Sequence, residues 1–225
     1  MLMFVLTSAF FVSQLSAQSI LCVDNDADDG GFTDCWPMFQ AALDANGYTY
    51  DYFEVDTINY FGPDAETMEP YDIVIWWTGE AWQNSMTLSV EDEFNLNLYL
   101  SITGGKLLLS AQDYLWDRYQ GQSTFSSGDF PYDKLGVVTF AQDTYHIEPG
   151  DPNAIADSAT FIGATGSIAE GLSFPVRDIF TTEDGLYADS LAEHMGTSLF
   201  SVVQPYISEG TPGLQYEGVS FWVIV

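Results

Sequence analysis

The sequence predicts a three-layer α/β fold, a doubly wound and mainly parallel sheet with helices on both faces. Three observations predict it. The runs "YDIVIWW" (71–77) and "KLLLSAQD" (106–113) are apolar at successive positions, as strands covered on both sides require. From residue 19 to 113, strand-like and helix-like stretches alternate as β-α-β-β-α-β. Their connections are short, which suits strands laid side by side by crossover helices.

Each element has its own warrant. Strand one (19–24) is an apolar run. "TDCWPMFQAALDANG" then carries a proline near its start, apolar Phe39, Ala42 and Leu43, and an Asn46-Gly47 stop, the marks of a helix packed on a sheet. "YTYDYFEV" (48–55) alternates like a half-buried or edge strand. Ser89 is placed to cap a helix that carries Phe94 and Leu98 and stops at Gly104-Gly105. From 114 onward, glycine, serine and aromatic residues predict a long surface excursion with one short helix. "ATFIGATGSIAEGLSFPV" and "TSLFSVV" read as strands, the first in an antiparallel insertion, and "GVSFWVIV" as a final apolar strand. A sheet strand is normally followed by a helix or a polar tail, so the chain is expected to continue past Val225.

With 225 residues, 47% of them hydrophobic, the chain can build one sizeable core, and a single domain over 18–225 is expected. Residues 1–17, "MLMFVLTSAFFVSQLSA", are short, apolar and end on small residues, as a signal peptide does, although no Lys or Arg precedes the run. The expected location is therefore secreted or at the cell surface, with no integral membrane association once the leader is removed. Thirty-three acidic against 4 basic side chains give a net charge of −29, which repels nucleic acid and anionic lipid. Export leaves two states open for Cys22 and Cys35, a disulfide around the acidic loop or two buried thiols.

The acidic loop itself is "DNDADDGG" (24–31), directly after strand one. In a doubly wound sheet, ligands bind beyond the carboxyl ends of the strands where the strand order reverses. Asp24, Asp26, Asp28 and Asp29 stand at that edge, with Glu80 after "TG" and Asp113 after Gln112 at the ends of the neighbouring strands. Carboxylates held together either shift their pKa values upward or bind a cation, and so many hard oxygen ligands suit calcium best. The spacing resembles the first half of an EF-hand loop, but position 35 is cysteine where the closing glutamate belongs and the glycine comes one residue late, which excludes that motif. The competing expectation is a solvated loop whose aspartates cap the following helix.

Taken in order, the Asp cluster with Gly-Gly, "ALDANGYTYDYFEV", "YDIVIWWTGE", "GGKLLLSAQD" and "YEGVSFWVIV" resemble a domain of large secreted and surface proteins of bacteria. That domain is similar in fold to the class I glutamine amidotransferase group, a flavodoxin-like sheet. The resemblance implies a non-catalytic binding or accessory module whose partners are neighbouring modules of a larger surface protein, or an extracellular protein or polysaccharide. In the amidotransferase group the nucleophilic cysteine occupies a tight turn after a central strand. Here Ser110 stands nearest that position, followed by Ala111, and the cysteine is absent. A serine hydrolase of peptidase or esterase type, using Ser110 with His194 and Asp113, is the alternative; His146 is the other histidine.

Other chemistries lack their motifs. No G-x-G-x-x-G or P-loop follows a strand, and carboxylates crowd the turn where a phosphate would need amide dipoles, so neither nucleotide nor flavin is expected. No cysteine and histidine set has zinc spacing. Trp82, Trp116 and Tyr114 fall in or beyond the strand-end loops and are expected to form a ligand or partner surface, with carbohydrate binding as a second alternative. Trp76 and Trp77, adjacent in a strand, are expected to fill the core from opposite faces.

Overall fold

In the computed structural model of the chain, residues 18–28, 31–56, 58, 60–82, 87–146, 160–175, 187–194, 196–203 and 212–222 are described. Residues 1–17 and Asp29 lie outside them. The elements are β1 (Ile20–Asp24), α1 (Trp36–Ala45), β2 (Asp51–Glu54), the short α2 (Ala65–Met68), β3 (Ile73–Trp77), α3 (Val90–Leu98), β4 (Lys106–Ser110) and the short α4 (Tyr114–Arg118). There follow β5 (Val137–His146), β6 (Thr160–Gly163), β7 (Ser173–Pro175), β8 (Tyr187–Glu193), β9 (Thr197–Ser198), β10 (Phe200–Val203), β11 (Gly213–Tyr216) and β12 (Val219–Trp222).

Seven strands form one sheet in the order β2-β1-β3-β4-β12-β11-β9. The first five are parallel; β11 runs against β12, and β9 against β11. Counting only the parallel strands, the order is 2-1-3-4-5, the flavodoxin-like arrangement, and it reverses between β1 and β3. The last parallel strand, β12, is reached only after the 114–218 excursion. Within that excursion β10-β6-β7 form a small antiparallel sheet and β5 pairs with β8, as the antiparallel insertion predicts.

Alternation along the strands sorts the core into two layers. Ile20, Cys22, Ile75 and Trp77 face α1, packing on Cys35, Leu43 and Phe39. Leu21, Val23, Val74, Trp76, Leu107 and Leu109 face the other way, against Met68, Leu96, Tyr99 and Tyr114. Trp76 and Trp77 are thus fully buried on opposite faces, as their adjacency requires.

The start of α3 is a capping box. The Ser89 side chain accepts the Asp92 N–H while Asp92 accepts the Ser89 N–H at 2.7 Å. The helix passes into one π-helical turn, Tyr99–Thr103, and ends at Gly104, whose φ of 68° is left-handed. Phe94, which the helix carries, is 55% exposed, while Asp92, Glu93, Asn95 and Leu96 are buried. The inward polar groups are matched by hydrogen bonds, so the buried face of this helix is largely polar. No helix among the described residues is long and apolar enough to cross a membrane.

Candidate functional site

The reversal between β1 and β3 places Asp24 at the carboxyl edge of the sheet. Its register partners are Glu54 on one side and Trp77 on the other, and Trp77 in turn pairs with Ser110. Beyond Asp24 the chain stays attached to the sheet, since Asn25 N–H donates to the Trp77 carbonyl at 3.0 Å and Val55 N–H to the Asp24 carbonyl at 2.8 Å. Ala27 then takes φ 58°, which turns the loop so that Asp28 N–H meets Asp26 Oδ1 at 3.2 Å.

Both Asp24 and Asp26 are buried, and each is held from the α1 side of the sheet. Tyr52 hydroxyl donates to Asp24 Oδ2 at 2.9 Å, and the Cys35 N–H at the head of α1 donates to Asp26 Oδ2 at 2.6 Å. Gly79 permits the approach of β3. Its φ is 55°, and a Cβ there would stand 2.8 Å from the Asp26 Cβ. Asp34 completes the group, with one oxygen each from Asp24, Asp26 and Asp34 lying within 4.8 Å of one another. Two oxygens that share a calcium ion can lie up to about 5 Å apart, twice the metal–oxygen distance, so the set is of coordinating size.

Among the described residues no basic side chain offsets this charge through an ion pair, and the one ion pair there joins Arg118 to Glu93 elsewhere. Burial, then the neighbouring Asp26 charge, pushes the Asp24 carboxyl up to about 7. Asp26 is also raised, chiefly by burial, against the lowering effect of the backbone N–H groups it accepts. Two carboxylates side by side and out of water hold a proton or a cation.

The remaining predicted ligands lie differently. Asp28 is exposed. Glu80 Oε1 accepts both the N–H and the hydroxyl of Thr33, at 3.0 and 2.9 Å, and so ties the loop to the end of β3. Asp113 is buried at the start of α4 and accepts from Gln112 Nε2 at 3.2 Å. Asp34 is the residue that the sequence reading missed. Pro37 marks the first turn of α1 and therefore puts Asp34 just before the helix, where Asp34 Oδ1 accepts the Trp36 N–H at 3.0 Å.

Ser110 is buried at the end of β4, and its carbonyl accepts the Thr78 N–H. The His194 ring stacks on Tyr132 at 3.7 Å. Among the described residues, Thr78 Oγ1 and Gln112 Oε1, just past β3 and β4, are buried without a hydrogen-bond partner. Cys22 and Cys35 are free buried thiols. Burial pushes Cys22 up to about 12, and burial with the surrounding carboxylates raises Cys35 as well, so neither is a thiolate nucleophile at neutral pH. Of the predicted surface aromatics, Trp82 is 48% exposed and Trp116 half-buried. Tyr114 is not on the surface: its ring is fully buried against Phe221 and its hydroxyl donates to Glu93 at 2.8 Å.

No protein-family model and no curated protein matches the chain. Solved structures do. A cold-adapted β-galactosidase from Rahnella sp. R3 aligns over 93% of this chain and 29% of its own, at 13% identity and a TM-score of 0.53. A β-galactosidase from Bacillus circulans sp. alkalophilus aligns over 92% and 28%, at 10% identity and 0.54. A ThuA-like protein from Bacteroides uniformis ATCC 8492 aligns over 92% and 80%, at 9% identity and 0.49. At such identities the likeness to the β-galactosidases is one of fold, and this chain spans less than a third of their length.

Proposed function

We propose that the protein is a non-catalytic binding or accessory module of an exported, cell-surface protein, and that its acidic loop holds a structural calcium ion through Asp24, Asp26 and Asp34. The observation that carries this reading is the triad itself, two buried carboxylates and a third within coordinating distance at the point of strand reversal. Calcium takes six to eight oxygen ligands in flexible geometry, so backbone carbonyls and water complete a shell to which a short loop gives three carboxylates. The ion would clamp β1, the loop and the head of α1 together, since the three aspartates belong to those segments. The apolar stretch 1–17 supports export, and the occurrence of this fold as under a third of two longer chains supports a modular role. Its partners are then neighbouring modules or an extracellular protein or polysaccharide.

Thermal unfolding tests the reading. A ligand that binds only the folded state raises Tm with its concentration over Kd. Unfolding is followed in excess EDTA, then in millimolar calcium or magnesium, for the native protein and for Asp24→Asn with Asp26→Asn. A calcium-specific rise that the double variant loses supports the clamp. Equal melting under all conditions overturns it.

A further inference from the structure

On the opposite face of the sheet, a groove of about 300 Å³ opens between α3 and the segment that follows α4. That is the lower end of the usual range for small-molecule sites, roughly 300–1,000 Å³. α3 turns Glu93, Phe94 and Asn97 toward it, and Arg118, Asp133 and Lys134 line it from the other side. Two features mark it as built for a ligand. Phe94 leaves a large apolar ring 55% exposed at its wall, and two of the chain's four basic residues meet here in a protein of net charge −29.

The charges in the groove are mostly answered within it. Arg118 pairs with Glu93 at 3.2 Å and lies over the Tyr119 ring at 4.9 Å. Glu93, itself buried, also accepts from the hydroxyls of Tyr114 and Tyr119, each at 2.8 Å. Lys134 Nζ donates to Ser101 Oγ at 2.8 Å, which donates to Asn97 Oδ1 at 3.3 Å, and Asp133 accepts the Gly128 N–H at 3.0 Å. With Glu93, Asp129 and Asp133 set against Arg118 and Lys134 in the lining, a charged ligand of either sign meets opposing as well as like charge, and an anion is further repelled by the whole protein. What remains is a set of oriented donors and acceptors beside an exposed aromatic face. A pyranose ring answers both, with hydroxyls around its rim that donate and accept and with C–H groups on its faces.

We propose that this groove binds a neutral carbohydrate, with a C–H face of one sugar ring against Phe94 and its hydroxyls on Asn97, Asp133 and Lys134. The site is separate from the acidic loop and does not depend on it.

Calorimetric titration and saturation-transfer NMR of the purified full chain with D-glucose, D-galactose, D-mannose, cellobiose and lactose test this, each in excess EDTA and again in calcium. At least one sugar is expected to bind, equally well in EDTA, with Phe94→Ala weakening it about tenfold and Lys134→Gln about threefold. Phe94 is exposed, so its loss leaves folding intact, and unchanged melting of that variant checks this. The proposal is overturned if none of these sugars binds, if Phe94→Ala leaves binding unchanged, or if a zwitterion such as free phenylalanine binds where the sugars do not.

Discussion

The molecule buries acidic side chains on both faces of its sheet and treats them in opposite ways. On the α3 face, Glu93 accepts two tyrosine hydroxyls and an arginine, so every part of its charge is answered by a donor. On the α1 face, Asp24 and Asp26 are equally buried but receive only one hydroxyl and backbone N–H groups, and they crowd each other. Burial raises the carboxyls of both sites, but a like charge adds to it at Asp24 and not at Glu93. The difference teaches which buried acid is a structural member and which asks for something else. A compensated carboxylate holds elements together, whereas a pair of uncompensated ones is complete only with a proton or a cation.

The contrast is broken most severely at Glu93. Glu93→Ala strips partners from Tyr114, Tyr119 and Arg118 at once and is expected to cost about 2–4 kcal/mol by urea unfolding, below the full cost of breaking a buried pair because Arg118 is partly solvated. A loss under about 1 kcal/mol would mean that the network contributes little. Calcium at a hundred times its Kd should add about 2.7 kcal/mol to the native protein and nothing to the Asp24→Asn, Asp26→Asn variant.

The opposite sign is expected of Asp24→Asn in EDTA. Removing one of two crowded carboxylates should raise stability by about 1 kcal/mol, where the same kind of change at Glu93 lowers it. The pH dependence follows the same logic. The folded Asp24 carboxyl titrates at about 7 against an ordinary 3.8, so the folded state binds its proton more tightly. Stability in EDTA should then rise as pH falls from 8 through about 7, reach its full gain below about 4 as far as this group is concerned, and be lost again on return to high pH. Melting followed across that window checks it, and calcium should flatten the dependence. Smallest of all, Trp82→Ala at an exposed site should change stability by less than about 0.5 kcal/mol.

Much of this arrangement was legible in the sequence because its signals are local. The runs at 71–77 and 106–113 read as strands covered on both faces and hold β3 and β4, and Ser89 announced the start of α3. The place of Asp24 at the carboxyl edge followed from the strand ending there. What could not be read depends on partners distant in the chain. Phe94 resembles a core residue until Glu93 is seen to be matched by Tyr114, Tyr119 and Arg118, from 21 to 26 positions later. Asp34 reads as a helix-start residue, which it is, and only the turn at Ala27 with the close passage of Gly79 brings the loop to where Asp34 meets Asp24 and Asp26. Glu80 reads as a candidate ligand by its place after β3, and its hold on Thr33, 47 positions earlier, is a contact the sequence does not announce.

The central claim is that the α1-face aspartates bind a cation, and terbium titration tests it most directly, because terbium takes calcium sites and emits when an adjacent aromatic ring is excited. Trp36 supplies that ring. The Trp36 backbone N–H donates to Asp34 Oδ1 at 3.0 Å, and its ring packs at 4.6 Å on Tyr52, the partner of Asp24. Saturable emission excited through tryptophan, displaced by calcium and absent from the Asp24→Asn, Asp26→Asn variant, is the predicted result. Emission no greater than that of the variant, or emission that calcium does not displace, would contradict it.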